Sequence, residues 1–349
     1  MATEQPSLHN DELHTSEALA TTTRPTIRRM SVLIPVYNSE ATVGPLLDMV
    51  VGELEHQYDA LEIILVNDGS VDNSHKVIRQ AMERHPGLIR YVQLARNFGE
   101  HSAVMCGLHY VTGDAVAIID DDFQNPPDQI ILLTDRLSEG FDVVYSYYEK
   151  KHHHWWRNLG SSFNDWMATR LLAKPPGLYL SSFKVLNRFL IDAVIRYEGP
   201  YPYLDGLILQ STTTIGQQLC KHARRETGRS NYTLRRLIRL WLNMFTGFSV
   251  LPLRVASLLG LTMSAAGFAL AIFFLVSWSF GGIFFSREQF PAGWASLIVT
   301  VTIFAGLQLC VLGMIGEYLG RVFQTMNRAP QFVVRSQYGI DDTEEPLAT

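Results

Sequence analysis

Cysteine is scarce in this chain, and what is missing around it excludes several classes. Only three occur in 349 residues, Cys106, Cys220 and Cys310. They are widely spaced and form no Cys-x-x-Cys pair, so neither a disulfide framework nor a zinc site is expected, and the catalytic part is placed in a reducing compartment. No Gly-x-Gly-x-x-Gly follows the first apolar run and no Gly-x4-Gly-Lys-Ser/Thr occurs anywhere, which disfavours dinucleotide oxidoreduction and P-loop chemistry. Charge is also sparse, at 18% of residues, and the net formal charge of −5 is mild and says little beyond solubility; no nucleic-acid partner is expected. Residues 1–29 are polar, Ser/Thr-rich and lack the apolar core of a signal peptide, so a disordered tail is expected there.

Apolar residues, in contrast, make up 47% of the chain. The excess lies in residues 255–280 and 295–316, which carry no charge and each reach the roughly 20 helical residues that cross a hydrocarbon core. Arg224, Arg225, Arg229, Arg235, Arg236, Arg239 and Arg254 precede the first run, and Arg321, Arg328 and Arg335 follow the second. The intervening loop sets only Arg287 against Glu288. This asymmetry predicts a multi-pass protein of the cell (inner) membrane, with the catalytic domain and both termini in the cytoplasm. Residues 232–249 place Leu234, Leu237, Ile238, Trp241, Leu242, Phe245 and Phe248 at helical spacing opposite Arg235, Arg236 and Arg239, the profile of a helix lying in the headgroup plane. Trp155, Leu159, Phe163 and Trp166 repeat that pattern more weakly. The expected units are a tail (1–29), a catalytic domain (30–231), a juxtamembrane amphipathic helix (232–250), two transmembrane helices (251–320) and a cytoplasmic tail (321–349).

Between residues 30 and 146 short apolar runs alternate with helical patterns. Strands are expected at 31–36, 61–66, 88–94, 115–119 and 142–146, with helices at 40–55, 72–84, 101–111 and 127–139. That alternation predicts an α/β fold with a mainly parallel sheet covered on both faces. Ligands in such folds bind beyond the carboxyl ends of the strands, where Asn38, Asp68, Arg96 and Asp120-Asp121-Asp122 all fall. Asp120 and Asp122 can point to one side of an extended turn, with Gln124 adding a carbonyl oxygen, and hard oxygen ligands suit Mg²⁺ or Mn²⁺. The competing reading is a solvated acidic turn before the helix at Pro127. Tyr37 can stack on a base or merely pack, and Asp68 can accept from a base or close an Asx-turn. His152-His153-His154 is a poor metal site, since three consecutive residues do not converge on one ion. Gly316-x3-Gly320 is a helix-contact motif compatible with a homo-oligomer.

Taken together, residues 31–40, 66–74, 96–99, 120–127, 181–184 and 225–232, continued by 248–254, resemble glycosyltransferase family 2 and its polyprenyl-phosphate branch. The resemblance spans roughly residues 30–330 and implies a GT-A, Rossmann-like catalytic domain. It further implies transfer from a UDP- or GDP-sugar to a polyprenyl (undecaprenyl or dolichyl) phosphate at the bilayer. By position, Pro35, Tyr37, Glu40 and Asp68 would hold the nucleoside, with Asp120 and Asp121 also on the nucleotide sugar. Asp120, Asp122 and Gln124 would hold the metal, with Asp122 catalytic. Arg225, Arg229 and Ser230 would meet the acceptor phosphate, and Arg225 and Lys184 would supply catalytic positive charge. The chain departs from the family pattern at Asp121, where a small residue is usual, and at Asn67, often Asp. Because the acceptor is already an oxyanion, no general base is expected. Two rivals are a processive polysaccharide synthase, whose Gln-x-x-Arg-Trp segment is absent, and a non-catalytic sugar-nucleotide-binding subunit.

Overall fold

The computed structural model describes residues 27–148, 174–175, 177–221, 251–279 and 293–340. Strand β1 (Arg29–Val36) and β2 (Ala60–Asn67) are nearly continuous apolar runs. Such runs suit strands covered on both faces, since no alternate residue has to meet water. They pair in parallel with each other, and with β3 (Ile89–Leu94) and β4 (Ala115–Ile118) form a four-stranded parallel centre. Antiparallel β6 (Lys184–Asn187) joins β4 to β5 (Val143–Tyr147), and β7 (Ile215–Leu219) closes that side in parallel with β5. Among the described residues, eight strands, the last being β8 (Val334–Tyr338), run in the order β7-β5-β6-β4-β1-β2-β3-β8.

Helices cover both faces. On one, α1 (Val43–Leu54), α2 (Ser74–Arg84) and α4 (Gln129–Leu137) bury Leu46, Leu47, Ile78 and Leu133 against Val32, Ile34 and Ile63. On the other, α3 (Glu100–Leu108), α5 (Arg188–Val194) and α6 (Leu204–Ser211) cover Leu33, Ile64 and Val116. Each fully buried aliphatic side chain stabilises by roughly 1.5–3 kcal/mol. In α3, Gly107 lies close on the sheet, where a Cβ would come 2.1 Å from the Leu33 side chain. The expected strands and helices between residues 30 and 146 are all present, with ends moved by at most three residues as helix and strand limits commonly are.

Two long helices follow, α7 (Leu251–Ser279) and α8 (Gly293–Met326). Among the described residues, Ile303–Met326 is long and apolar enough to cross a membrane, while α7 carries a shorter apolar stretch, Leu258–Ala269. The expected second run, 295–316, thus extends C-terminally, and α8 passes the expected boundary at residue 320.

The tail does not remain a separate unit after 321. It returns to the sheet as β8 (Val334–Tyr338), antiparallel to β3, so that Tyr91 faces Tyr338 and Gln93 faces Ser336. Ala95 N–H donates to the Val333 carbonyl at 2.8 Å, and Phe332, Val334 and Ile340 pack on the core beneath α3. Sequence reading missed this strand because a five-residue run carries little periodic signal and its partner lies over 200 residues away. The expected amphipathic helix at 232–250, the segment from Trp155 to Trp166 and His152-His153-His154 lie outside the described residues, as does most of the N-terminal tail.

Candidate active site

Because β1 to β4 are parallel, their carboxyl ends share one edge of the sheet, and the loops after them meet there. The loop after β1 and the loop after β2 are cross-braced. Asn38 N–H donates to Ser70 Oγ at 3.0 Å, and Val71 N–H donates to Asn38 Oδ1 at 2.9 Å. Glu40 accepts from Asn73 N–H at 2.9 Å, while its own N–H donates to Asp72 at 3.0 Å. Asn38 sits at φ 55°, a left-handed conformation that Asn tolerates better than most residues.

Asp68 braces the next pair of loops. Its carboxylate is buried and accepts from Phe98 N–H at 2.7 Å and Gly99 N–H at 2.9 Å. Burial pushes its pKa above the usual carboxylate range, against the pull of those two donors. The neighbouring Gly69, at φ 67°, would with a Cβ come within 2.5 Å of the Arg96 backbone, so only glycine lets these loops approach. Of the residues expected to hold a nucleoside, Glu40 and Asp68 therefore organise loops, Pro35 is half-buried, and Tyr37 presents an open ring, 44% exposed.

The acidic turn after β4 fans out from one point. Asp121 turns toward β1, accepting from Ser39 Oγ and, at 3.2 Å, from Tyr37 N–H. Asp120 turns toward the segment just before β6, accepting from Ser182 Oγ at 2.6 Å and Asn125 Nδ2 at 3.2 Å. Asp122 accepts from Gln124 N–H at 3.1 Å and Gln124 Nε2 at 2.6 Å. Burial, then Glu100 and Asp122 nearby, raise Asp120 to about 6. Burial, with Asp120 and Asp122 adding to it, likewise raises Asp121 to about 6. Glu100, which sequence reasoning did not single out, faces the same carboxylates from the start of α3 and is itself pushed upward, by burial above all. Its only sequence signal is its place directly after residues 96–99.

Four carboxylates around one cleft repel one another, and a cation relieves that cost. Asp120, Asp122 and Gln124 carry oxygen donors of the type that Mg²⁺ or Mn²⁺ takes, although here the Gln124 amide turns its N–H toward Asp122. Among the described residues, no group of three or more His, Cys, Asp and Glu side chains is arranged to hold a metal ion. A cavity of about 240 Å³ opens beside the turn, walled by Asp120, Gln124, Asn125, Tyr148, Tyr179 and Ser182. Tyr148 OH donates to Asn125 Oδ1 at 2.6 Å, fixing that wall.

Lys184 is only 2% exposed. Its ammonium is paired with Asp205, at the start of α6, and lies 5.0 Å from the Tyr145 ring centre, while Tyr145 OH donates to Asp205 at 3.0 Å. Its positive charge is felt by Asp120 and Glu100, whose carboxyls it lowers. Lys184 thus sits under the cleft with a partner, Asp205, that sequence reasoning had not assigned. Arg225, Arg229 and Ser230 lie outside the described residues.

Residues 31–193 match the Glycosyl transferase family 2 profile. Curated relatives align over almost the whole chain. The undecaprenyl-phosphate 4-deoxy-4-formamido-L-arabinose transferases of Yersinia pestis (strain Pestoides F) and Yersinia pseudotuberculosis (serotype O:3) are each 32% identical over 328 residues, 91% of this chain and 96% of theirs. The chain belongs to glycosyltransferase family 2. It is a transferase with the α/β, GT-A-like fold of that family. Among solved structures, glucosyl-3-phosphoglycerate synthase of Mycobacterium tuberculosis matches at 21% identity and a TM-score of 0.48, over 63% of this chain and 78% of that one. The same enzyme with Mn²⁺, UDP-glucose and phosphoglyceric acid matches at 20% identity and a TM-score of 0.47, with the same coverage.

Proposed function

We propose that this glycosyltransferase moves a sugar from a nucleotide-sugar donor onto a polyprenyl phosphate at the cytoplasmic face of the membrane, with inversion at the anomeric carbon and a divalent metal, Mg²⁺ or Mn²⁺. The observation that carries the reading is the fan of Asp120, Asp121 and Asp122 at the carboxyl edge of the parallel sheet, in a chain whose curated relatives match along 91% of its length. The relatives' names favour undecaprenyl phosphate as acceptor, and a pentose of the 4-deoxy-4-formamido-L-arabinose kind as one donor sugar to test first.

In this reading Tyr37 and Pro35 offer the base a flat edge beside the loops that Glu40 and Asp68 hold. Asp120 and Asp122, with the Gln124 carbonyl once its amide turns, would hold the ion, which when bound neutralises charge on the departing diphosphate. Ser182 and Asn125 fix the Asp120 carboxylate, so it need not reorganise as the donor binds. The acceptor oxyanion attacks without prior deprotonation, so the chain has to position it rather than activate it. Arg225, Arg229 and Ser230 are assigned to that phosphate, and Lys184 to positive charge beneath the cleft. Helices α7 and α8 would both enter the bilayer, with Arg residues flanking them on the cytoplasmic side. The small residues Gly316 and Gly320 on α8, each with open space around it, would permit a homo-oligomer.

The test incubates membranes containing the protein with labelled sugar nucleotides and undecaprenyl phosphate. An organic-extractable, acid-labile labelled lipid is expected, lost with EDTA and restored by Mg²⁺ or Mn²⁺. Label that stays in water across the panel, or transfer that is indifferent to EDTA, contradicts the proposal.

A further inference from the structure

The C-terminal strand reaches the carboxyl edge of β1 and β2 through an unbroken line of contacts, which no feature of the sequence announces. Tyr338 of β8 stacks on Tyr91 of β3 with ring centres 5.6 Å apart and planes 11° from parallel. The Arg79 guanidinium lies over the Tyr338 ring, 4.1 Å from its centre. Tyr91 is fully buried, and its hydroxyl accepts from Asn67 Nδ2 at 3.1 Å and lies 2.9 Å from His75 Nδ1. Burial pushes that hydroxyl up to about 12, so it keeps its proton and can give it to His75 while accepting from Asn67.

Asn67 continues the line. Its side-chain oxygen accepts from Ser70 N–H at 2.9 Å, which fixes which way the amide faces. Ser70 Oγ in turn accepts from Asn38 N–H, directly after Tyr37. The Asn67–Tyr91 bond is buried, the bonds to Ser70 and His75 are part-buried, and the link from Ser70 to Asn38 lies at the surface; the buried groups have few alternative arrangements. Asn at position 67 is suited to this place because its amide donates to Tyr91 with one atom and accepts from Ser70 with the other. An Asp there would only accept and would set a charge against a buried hydroxyl.

We propose that Tyr91 and Tyr338 are positioning residues for the nucleoside half of the donor, and that β8, the strand following the membrane helix α8, holds the turns around residues 37–40 and 67–70 in their binding geometry. The inference rests on the reading that this edge receives the nucleoside. The strand is covalently continuous with α8, so detaching it relaxes Tyr91, then Asn67, then the two turns.

The experiment uses the full chain in detergent or nanodiscs and measures binding of UDP, GDP and inorganic pyrophosphate, each with Mn²⁺, by calorimetry. Tyr91→Phe deletes one oxygen and keeps the stack; Tyr338→Ala deletes the stack; Tyr338→Phe retains it. Loss of one buried hydrogen bond, about 1 kcal/mol, corresponds to roughly fivefold in affinity. The expected result is a weakening of about that size for the preferred nucleoside diphosphate in Tyr91→Phe and Tyr338→Ala. Pyrophosphate binding and kcat at saturating donor stay within about twofold, and Tyr338→Phe binds like the parent. If Tyr338→Ala melts early, Tyr91→Phe decides alone. Parent protein that binds neither nucleotide overturns the donor-edge reading and this inference with it. Parent that binds while Tyr91→Phe binds equally well, or a pyrophosphate loss matching the nucleotide loss, overturns the inference and leaves that reading standing.

Discussion

The two halves of the cleft are built on opposite principles. At the β1–β3 edge, the loops are braced to each other by backbone donors and neutral or singly charged acceptors, as in Asp68 with Phe98 and Gly99. At the β4 edge, Asp120, Asp121, Asp122 and Glu100 are gathered with Lys184 as the nearby counter-charge, and that lysine is already paired with Asp205. The first half is complete in the protein alone; the second carries uncompensated negative charge that the ligands must balance. A surface that a flat, weakly charged base can rest on gains from rigidity. Were a diphosphate to depart at the second half, as proposed, its carboxylates would draw in the cation that stabilises the leaving group.

Mutations separate the halves, and the largest effect is expected at the acidic one. Asp122→Asn removes charge from an accessible turn, so transfer falls by about a thousandfold while the melting temperature stays near that of the parent. An Asp122→Asn protein that transfers sugar normally with metal present removes the metal assignment. Lys184→Met leaves the Asp205 carboxylate buried without its partner, a loss of about 3 kcal/mol of stability read as a lower thermal midpoint. Replacing both residues, as in Lys184→Met with Asp205→Leu, recovers much of that loss if the pair, not Lys184 alone, is the structural unit.

Asp68→Asn tests the braced half. An amide oxygen is left to accept where two carboxylate oxygens did, costing about 2 kcal/mol. Donor affinity falls more than turnover in a donor titration, the reverse of the expectation for Arg225→Ala, which lowers turnover more than donor binding. The smallest effect lies far from the cleft. Asp114 is held below its usual range by Arg29, whose backbone and side-chain N–H groups overcome the opposing effect of burial. A depressed folded pKa stabilises the protein above the unfolded value and ceases to do so as pH falls through the folded one. The pair is partly exposed, 36% at Asp114, so solvent screening keeps the contribution under about 1 kcal/mol. Asp114→Asn should melt slightly lower than the parent at neutral pH, the gap closing in acid.

The same contrast explains what the sequence made legible. The β1–β4 core was readable because each strand is a local apolar run bounded by turn residues, and the acidic turn because three consecutive Asp beyond such a run have few structural uses. What stayed hidden depends on partners distant in the chain. Lys184 was visible as a charge, but its neutralisation by Asp205 needs the return of α6 under β6. Glu40 and Asp68 had the residue type of ligands, yet their carboxylates hold backbone N–H groups that only the folded loops bring near. Strand β8 was invisible because its signal is its pairing with β3, across the whole catalytic domain and both long helices. Short strands β6 and β7 likewise owe their place to neighbours rather than to periodicity.

The claim beneath all of this is that Asp120 and Asp122 bind the donor diphosphate by way of a divalent ion. Electron paramagnetic resonance of Mn²⁺ with the purified full-length protein measures this directly. The account predicts that free Mn²⁺ signal falls on adding the preferred nucleoside diphosphate to the parent, toward one ion per chain, and that Asp122→Asn shows no such nucleotide-dependent uptake. Equal uptake by parent and Asp122→Asn, or uptake in the parent that ignores the nucleotide, would contradict it.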